Sequence, residues 1–188
     1  MKTAQEILKI KAALLYILKS FPDGVDFIKL FKILYFAQRN HLAKYGRGIV
    51  NDTFYALKYG PVPSFSYKAM QVVDGRIEDE SFSDFITGID VNKGIVRGTV
   101  NPDLDELSVS DISYLDKSIR DHKDIDPYDL SELSHDEAWM KAKERIQDDP
   151  EKDIISIIDI ARSGKANDGM IEYIRDKHFV QRFVACGR

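Results

Sequence analysis

Residues 26–45 read Asp-Phe-Ile-Lys-Leu-Phe-Lys-Ile-Leu-Tyr-Phe-Ala-Gln-Arg-Asn-His-Leu-Ala-Lys-Tyr, and this stretch decides the fold. At about 100° per residue, its apolar side chains fill roughly 220° of a helix circumference, whereas a surface helix shows an apolar stripe of only ~100°. The sequence therefore predicts a central helix on which other elements pack from several sides. The apolar positions are Phe27, Ile28, Leu30, Phe31, Ile33, Leu34, Tyr35 and Ala37.

The remaining sector of this helix is basic and polar, with one aromatic residue, Phe36, in its midst. Phe36 either lies beneath another element of the same chain or is covered by a partner protein. The second interpretation rests on the frequency with which aromatic residues among basic side chains anchor protein interfaces. The basic and polar residues of the sector are Lys29, Lys32, Arg39 and Asn40.

Length and composition are those of a soluble globular protein. The chain has 188 residues, which suits one domain with a sizeable core, and its 44% hydrophobic and 31% charged residues are ordinary values. No run of about 18 apolar residues predicts a membrane span, and the first residues lead into a charged helix, so we expect a cytoplasmic protein. The net charge of -4 gives no overall attraction to nucleic acid, which makes it an unlikely partner without a local basic patch.

Helix start signals recur along the chain. Thr3 with Glu6 predicts a capping box at the start of a first helix, and Asp26 is a suitable cap for the central helix. The same signals predict helices that begin after Ser108, at Asp126-Pro127 and after Ser134, with Glu137 in the capping-box position of the last.

Strand signals are confined to short stretches. Asn92-Lys93-Gly94 separates two β-branched runs and predicts a hairpin within residues 85–100. Residues 53–63 predict an extended or short helical segment with a rigid corner at Gly60-Pro61. Residues 153–161 fit a helix or a strand, and residues 179–184 alternate like a terminal strand or an extended tail. The fold class expected is mostly helical α+β, a compact helical domain with a small antiparallel β-hairpin or sheet.

The residues offer little support for catalysis or metal binding. The four histidines (His41, His122, His135 and His178) are dispersed and lack the spacing of a zinc site, and the single Cys186 has no neighbouring histidine to activate it. We therefore expect no metal, no cofactor and no enzymatic activity. The strongest enzymatic candidate is His135-Asp136-Glu137, which an alternative interpretation explains as the ordinary start of a helix with Ser134 as its cap.

Three blocks of sequence, taken in order, resemble the Panacea domain of SocA-like antitoxins, some of which are phage-associated. The blocks are residues 29–37, residues 54–62 and residues 130–139, and they include the family-motif positions Leu34, Tyr35, Ser134, His135 and Trp139. The resemblance covers roughly residues 5–145. A departure is Glu137-Ala138 before Trp139, where the family often has glycine and proline.

The resemblance implies an antitoxin of a bacterial toxin–antitoxin system, which binds and neutralises a cognate toxin protein. Members of the family pair with unrelated toxins, and one delivers its toxin to a cytoplasmic protease, so a protease is a second candidate partner. We expect a Panacea-like domain over residues 1–150, with residues 151–188 as a helical extension packed on it. The partner-binding residues expected are Lys29, Lys32, Phe36, Arg39, Tyr59, Gly60 and Pro61.

Two other functions stay open at the level of residues. A hydrolase or transferase would use His135 with Asp136 or Glu137, and would place His135 in a concave pocket facing another polar group. A DNA-binding transcriptional regulator would need a contiguous basic face. The dense basic group available for it is Lys29, Lys32, Arg39, Lys44 and Arg47.

Overall fold

Helices dominate the structure, a computed structural model that describes residues 2–148 and 153–186. The helices are α1 (Ala4–Leu18), α2 (Phe27–Tyr45), α3 (Ser64–Val73), α4 (Ser83–Ile86), α5 (Val109–His122), α6 (Pro127–Leu133), α7 (Glu137–Asp148), α8 (Ile157–Ser163) and α9 (Asp168–Cys186). The strands are β1 (Val25–Asp26), β2 (Phe54–Leu57), β3 (Gly60–Pro63), β4 (Ile89–Asn92) and β5 (Ile95–Gly98). Two small antiparallel sheets beside these helices confirm the predicted mostly helical α+β class.

Helix α2 is the centre of the fold. Every residue from 30 to 38 is buried, because α1, α5, α6, α8 and β3 all pack against this helix. Its Leu30, Ile33 and Leu34 side chains enter a cluster with α1 and α5, and its Tyr35 and Phe36 side chains enter a second cluster with α6, α7 and α8. The prediction that other elements cover α2 from several sides is confirmed.

The predicted caps of several helices are present. Thr3 and Glu6 form a reciprocal capping box at α1, and Asp26 accepts a hydrogen bond from the Lys29 amide at the start of α2. Ser108 and Asp111 form the second box at α5, and Asp126 caps α6 with Pro127 in the first helical turn. Helix α2 ends at Tyr45, and the following Gly46 caps it with a left-handed backbone (φ 63°) and an amide that donates to the Leu42 carbonyl.

The predicted hairpin at Asn92-Lys93-Gly94 is confirmed. Strands β4 and β5 pair antiparallel with Asn92 opposite Ile95, and the two turn residues both have positive φ, 51° at Lys93 and 82° at Gly94. Strand β1 adds to β5, which gives the order β1-β5-β4. The strand signals that were expected to begin at residue 85 begin later, since Phe85 and Ile86 belong to α4 and β4 starts at Ile89.

A second hairpin, β2–β3, occupies the segment for which an extended or short helical conformation was expected. Strand β3 contains Pro61 and Pro63, which cannot donate ladder hydrogen bonds, and β3 pairs with β2 alone. The free edge of β2 receives the chain around Ile154: the Ala56 amide donates to the Asp153 carbonyl, and the Ile155 amide donates to the Phe54 carbonyl, both at 2.8 Å.

The C-terminal part of the described chain packs on α2. The segment 153–161 holds both predicted alternatives, an isolated bridge from Ile154 to Tyr55 and then helix α8. The strand or tail expected over residues 179–184 is wrong, because α9 continues to Cys186. Phe179 and Phe183 are four residues apart, a spacing that a helix also satisfies. The expected domain boundary at residue 150 lies outside the described residues, and none of the helices described here is long and apolar enough to span a membrane.

Candidate protein-binding site

Lys32 is buried against the β2–β3 hairpin. The residue is 1% exposed, and its Nζ donates a hydrogen bond to the Pro61 carbonyl at 2.9 Å. Burial disfavours the charged amine and lowers the pKa of Lys32 to about 7, against the opposing effect of the Asp26 carboxylate. Among the residues that the structure describes, no carboxylate forms an ion pair with Lys32.

Gly60 allows the tip of the hairpin to reach Lys32 and the end of α6. Its φ of 91° lies in the region that favours glycine. A Cβ at this position would lie 2.1 Å from the Ser134 Oγ and 2.9 Å from the Lys32 Cε. Ser134 is itself buried and donates to the Ser131 carbonyl at 2.7 Å. The three sequence blocks therefore meet here in space, one residue from each.

Asp136 ties α2 to the start of α7. Its carboxylate accepts hydrogen bonds from the Tyr35 hydroxyl and from the Arg39 guanidinium, both at 2.9 Å. The same carboxylate accepts from the Ala138 and Trp139 amides at 3.1 and 3.2 Å, so Asp136 caps α7. The expectation that Ser134 caps this helix is wrong, because its hydroxyl is used within α6. Burial, with the Asp136 carboxylate, raises the pKa of Tyr35.

His135 stacks on Trp139, with ring centroids 3.9 Å apart and planes at 18°. The Trp139 Nε1 donates to the Leu57 carbonyl at 3.0 Å, which joins α7 to the end of β2. Burial lowers the pKa of His135. The adjacent carboxylates point elsewhere, Asp136 to Tyr35 and Glu137 to Lys141 at 2.6 Å. The three residues of the enzymatic candidate therefore do not converge on one point.

An apolar groove of about 210 Å³ lies beside Lys32. Its walls come from the first turns of α2, from the hairpin β2–β3 and from α3. The groove is lined by Phe27, Ile28, Phe31, Lys32, Leu57, Tyr59, Val62, Tyr67 and Arg76.

Large apolar side chains of the hairpin tip and of α6 are exposed, and two of them, Leu57 and Tyr59, also line the groove. Their exposed fractions are 36% for Leu57, 45% for Tyr59, 64% for Tyr128 and 57% for Leu133. The Tyr59 and Tyr128 rings meet edge to face with centroids 6.1 Å apart. We call these four residues the apolar face.

Four of the seven expected partner-binding residues are buried. Phe36 is 3% exposed and stacks on the His122 ring at 4.4 Å, because α5 covers the sector of α2 that was expected to face solvent. Lys32, Gly60 and Pro61 are buried as well. Of the two interpretations of Phe36, the one that places it beneath another element of the same chain is therefore confirmed. Of the expected residues, Tyr59 is the one that is strongly exposed.

The basic group considered for DNA binding is largely engaged inside the protein. Lys29 donates to the Lys123 carbonyl at 2.9 Å, and Arg39 pairs with Asp136 at 2.9 Å. Arg47 pairs with Asp111 at 2.8 Å, and Lys32 is buried. Of this group Lys44 is exposed, so the five residues do not form the contiguous free basic face that groove binding needs.

A buried ionic cluster that sequence reasoning missed lies where α1, α5 and the end of α2 meet. The fully buried Asp111 carboxylate pairs with Lys9 at 2.7 Å and with Arg47 at 2.8 Å. His41, also fully buried, donates from Nδ1 to the Arg47 carbonyl, and its Nε2 lies 3.0 Å from the Ser110 Oγ and 3.3 Å from Asp111. A catalytic triad places serine and aspartate on opposite ring nitrogens, so these residues do not form one.

Sequence comparison identifies the family. The family model described as antitoxin SocA-like, Panacea domain, matches residues 30–140. No curated protein and no solved structure matches the chain. The matched range contains Lys32, the β2–β3 hairpin and the junction of α6 with α7, which pack together as described above. The chain belongs to the SocA-like antitoxin family and carries a Panacea domain.

Proposed function

We propose that the protein is a cytoplasmic antitoxin that neutralises a cognate toxin protein by binding it directly through the apolar face. The observation that carries this proposal is the exposure of Leu57, Tyr59, Tyr128 and Leu133 on adjoining elements of the family-matched region. Exposed apolar patches on soluble proteins frequently mark interaction sites, and tyrosine is among the commonest residues that dominate binding energy.

The packing beneath the apolar face makes it a rigid surface. The hairpin tip is held by the Lys32 hydrogen bond to Pro61 and by the Trp139 hydrogen bond to Leu57. Helix α6 packs beside α2 through the buried Leu130, and Asp136 joins the α6–α7 junction to α2. A preordered surface loses less conformational entropy on binding than a mobile one, which favours tight association. A stable interface buries about 800 Å² on each partner, so the toxin would extend beyond these four residues.

Direct neutralisation requires no chemistry from the antitoxin. The separation of His135, Asp136 and Glu137 into different contacts supports this kind of function over hydrolysis or group transfer. Family members that pair with unrelated toxins fit a binding role in the same way.

The test is neutralisation of the protein encoded by the adjacent gene, measured by growth on co-expression and by calorimetric titration of purified partners. The double variant Tyr128→Ala with Leu133→Ala should weaken toxin binding by about 30-fold or more, the size expected for hot-spot residues. Val109→Ala is the matched control, because Val109 is an apolar residue 87% exposed on α5. Equal affinity of the double variant and the wild type, both folded, would eliminate the apolar face.

Occlusion and proteolytic delivery give different results with purified components. If binding alone neutralises the toxin, its activity is lost in a mixture that contains no protease. If the protein is an adaptor, the toxin stays active in that mixture and its half-life in cells falls when the antitoxin is present. We expect the first result, since the proposal assigns neutralisation to the interface itself.

A further inference from the structure

The groove beside Lys32 has the size and lining of a pocket for one side chain. A dry apolar cavity of about 150 Å³ accommodates benzene, so the 210 Å³ of this groove suffices for one aromatic or branched aliphatic side chain. Three of its aromatic residues are fixed against one another: Phe27 stacks on Phe31 at 6.1 Å, and Phe31 meets Tyr67 edge to face at 6.2 Å. The walls are therefore already formed.

Apart from its tyrosines, the ionisable residues that line the groove are both basic, although burial lowers the pKa of Lys32 to about 7. Lys32 and Arg76 belong to the lining, and no aspartate or glutamate does. The Arg76 guanidinium lies 5.6 Å from the centre of the Phe27 ring, and its side chain is 48% exposed although Asp74 pairs with it at 2.5 Å. Lys58 adds an exposed amine 5.2 Å from the centre of the Tyr59 ring. An occupant that carries negative charge next to an apolar group complements this lining.

We propose that the groove binds an acidic and apolar segment of the toxin, with an aromatic or branched aliphatic side chain inserted between Phe27, Tyr59 and Tyr67 and a flanking carboxylate beside Arg76. This inference rests on the proposed function and deepens it. The groove shares Leu57 and Tyr59 with the apolar face, so one bound protein would cover both. The apolar face would then supply area, and the groove would select the toxin by a short sequence feature.

Two groove variants test the inference with the same purified toxin. Val62→Phe fills the groove, and Arg76→Glu reverses the charge at its rim while leaving the apolar walls intact. Each should weaken toxin binding by about tenfold or more, and Arg76→Glu should also reduce the dependence of binding on salt concentration. Arg120→Glu is the matched control for charge, because Arg120 is 71% exposed on α5, and it should bind as the wild type does. Thermal unfolding checks that each variant is folded. If Val62→Phe does not fold, the binding of Arg76→Glu alone tests the inference.

The outcomes separate this inference from the proposed function. If Tyr128→Ala with Leu133→Ala weakens binding while both groove variants bind like the wild type, the groove inference is overturned and the proposed function stands. If the wild type does not bind the toxin at all, both the groove inference and the proposed function are overturned. Phenylacetate, a small aromatic carboxylate, is the probe for a different kind of ligand. Its binding with a Kd below about 100 µM, undisturbed by the toxin, would identify a small-molecule site and overturn the inference.

Discussion

Asp111 and Lys32 are both buried ionisable residues, Asp111 on α5 and Lys32 on α2 itself, but their surroundings differ. Asp111 receives ion pairs from Lys9 at 2.7 Å and from Arg47 at 2.8 Å, so its charge is compensated inside the protein. Lys32 donates to one backbone carbonyl, that of Pro61, and within the described part of the chain its amine has no carboxylate partner.

Asp111 is a compensated charge that joins neighbouring elements, whereas Lys32 is an incompletely compensated one. A buried ion with good partners fixes the elements that carry them, whereas a buried ion without a counter-charge lowers stability. Asp111 joins α1, α5 and the end of α2, which accounts for its burial. The burial of Lys32 has no equal internal compensation, and its amine accommodates burial through a lowered pKa instead of a counter-charge.

The largest effect is expected at the compensated charge. Asp111→Ala removes the shared partner of Lys9 and Arg47 and should lower the free energy of unfolding by about 3–5 kcal/mol, measured by urea denaturation. Asp121→Ala is the control, because Asp121 pairs with Lys117 at 2.6 Å on the exposed side of the same helix, and it should cost about 1 kcal/mol or less. Similar losses in the two variants would contradict the role of Asp111 as a tie.

The next effect concerns Gly60, which allows the hairpin to approach Lys32. Gly60→Ala adds a Cβ 2.1 Å from the Ser134 Oγ in a backbone with positive φ, and should cost about 2–5 kcal/mol from strain and overpacking together. Gly75→Ala separates these contributions, because Gly75 has a φ of 71° and nothing lies within 4 Å of the added atom. Its cost should be about 1–2 kcal/mol, that of the backbone alone. Equal costs would show that the close packing at Gly60 is not limiting.

A smaller effect depends on pH and concerns Lys32 itself. Well below pH 7 the amine is charged in the folded and unfolded chains, so the full cost of burying the charge is present. Between about pH 7 and pH 10.5 the folded form is neutral while the unfolded form stays charged, so the free energy of unfolding rises with pH. Relative to Lys32→Met, the wild type should gain about 2 kcal/mol from pH 7 to pH 9 in urea denaturation.

The control for this pH dependence is Lys19→Met, since Lys19 is exposed at the end of α1. This variant should follow the wild type over the whole range. Parallel pH profiles of the wild type and Lys32→Met would mean that Lys32 stays charged in the folded protein. The contrast between Lys32 and Asp111 would then have to be explained by a counter-charge near Lys32.

Local signals predicted much of the fold, because they depend on residues close in sequence. The Thr3–Glu6 box and the Lys93-Gly94 turn are each decided by a few neighbouring residues, and both are present. The hairpin β2–β3 was not predicted, since its two prolines disfavour a strand unless the strand lies at an edge. Whether a strand lies at the edge or in the centre of a sheet depends on the other strands, so the segment alone does not reveal it.

The candidate site was predicted less well, because its contacts join distant parts of the chain. Lys32 meets Pro61 across 29 residues, and Tyr35 meets Asp136 across 101. The helical projection correctly placed Phe36 outside the main apolar sector, but it carried no information that α5 would cover that sector. The sequence did contain a usable signal for Asp136, because an aspartate directly before a helix is a common N-cap. The cap of α7 was predicted at Ser134 instead.

The smallest effect is expected at Asp136, whose surroundings are intermediate between those of Asp111 and Lys32. This carboxylate has one cation, Arg39, and one neutral donor, the Tyr35 hydroxyl. Tyr35→Phe removes the neutral donor and keeps the ring, so it should lower the free energy of unfolding by about 1.5 kcal/mol in urea denaturation. The loss is moderate because Arg39 and the α7 amides still compensate the carboxylate.

Tyr173→Phe is the matched control, since Tyr173 is 52% exposed on α9, and its effect should be close to zero. A loss at Tyr35 as large as that of Asp111→Ala would mean that Arg39 does not compensate Asp136. Asp136 would then be an incompletely compensated charge like Lys32, and the junction of α6 with α7 would depend on a single hydroxyl. If Tyr35→Phe leaves the free energy of unfolding unchanged, Arg39 and the α7 amides suffice to compensate Asp136, which would then resemble Asp111.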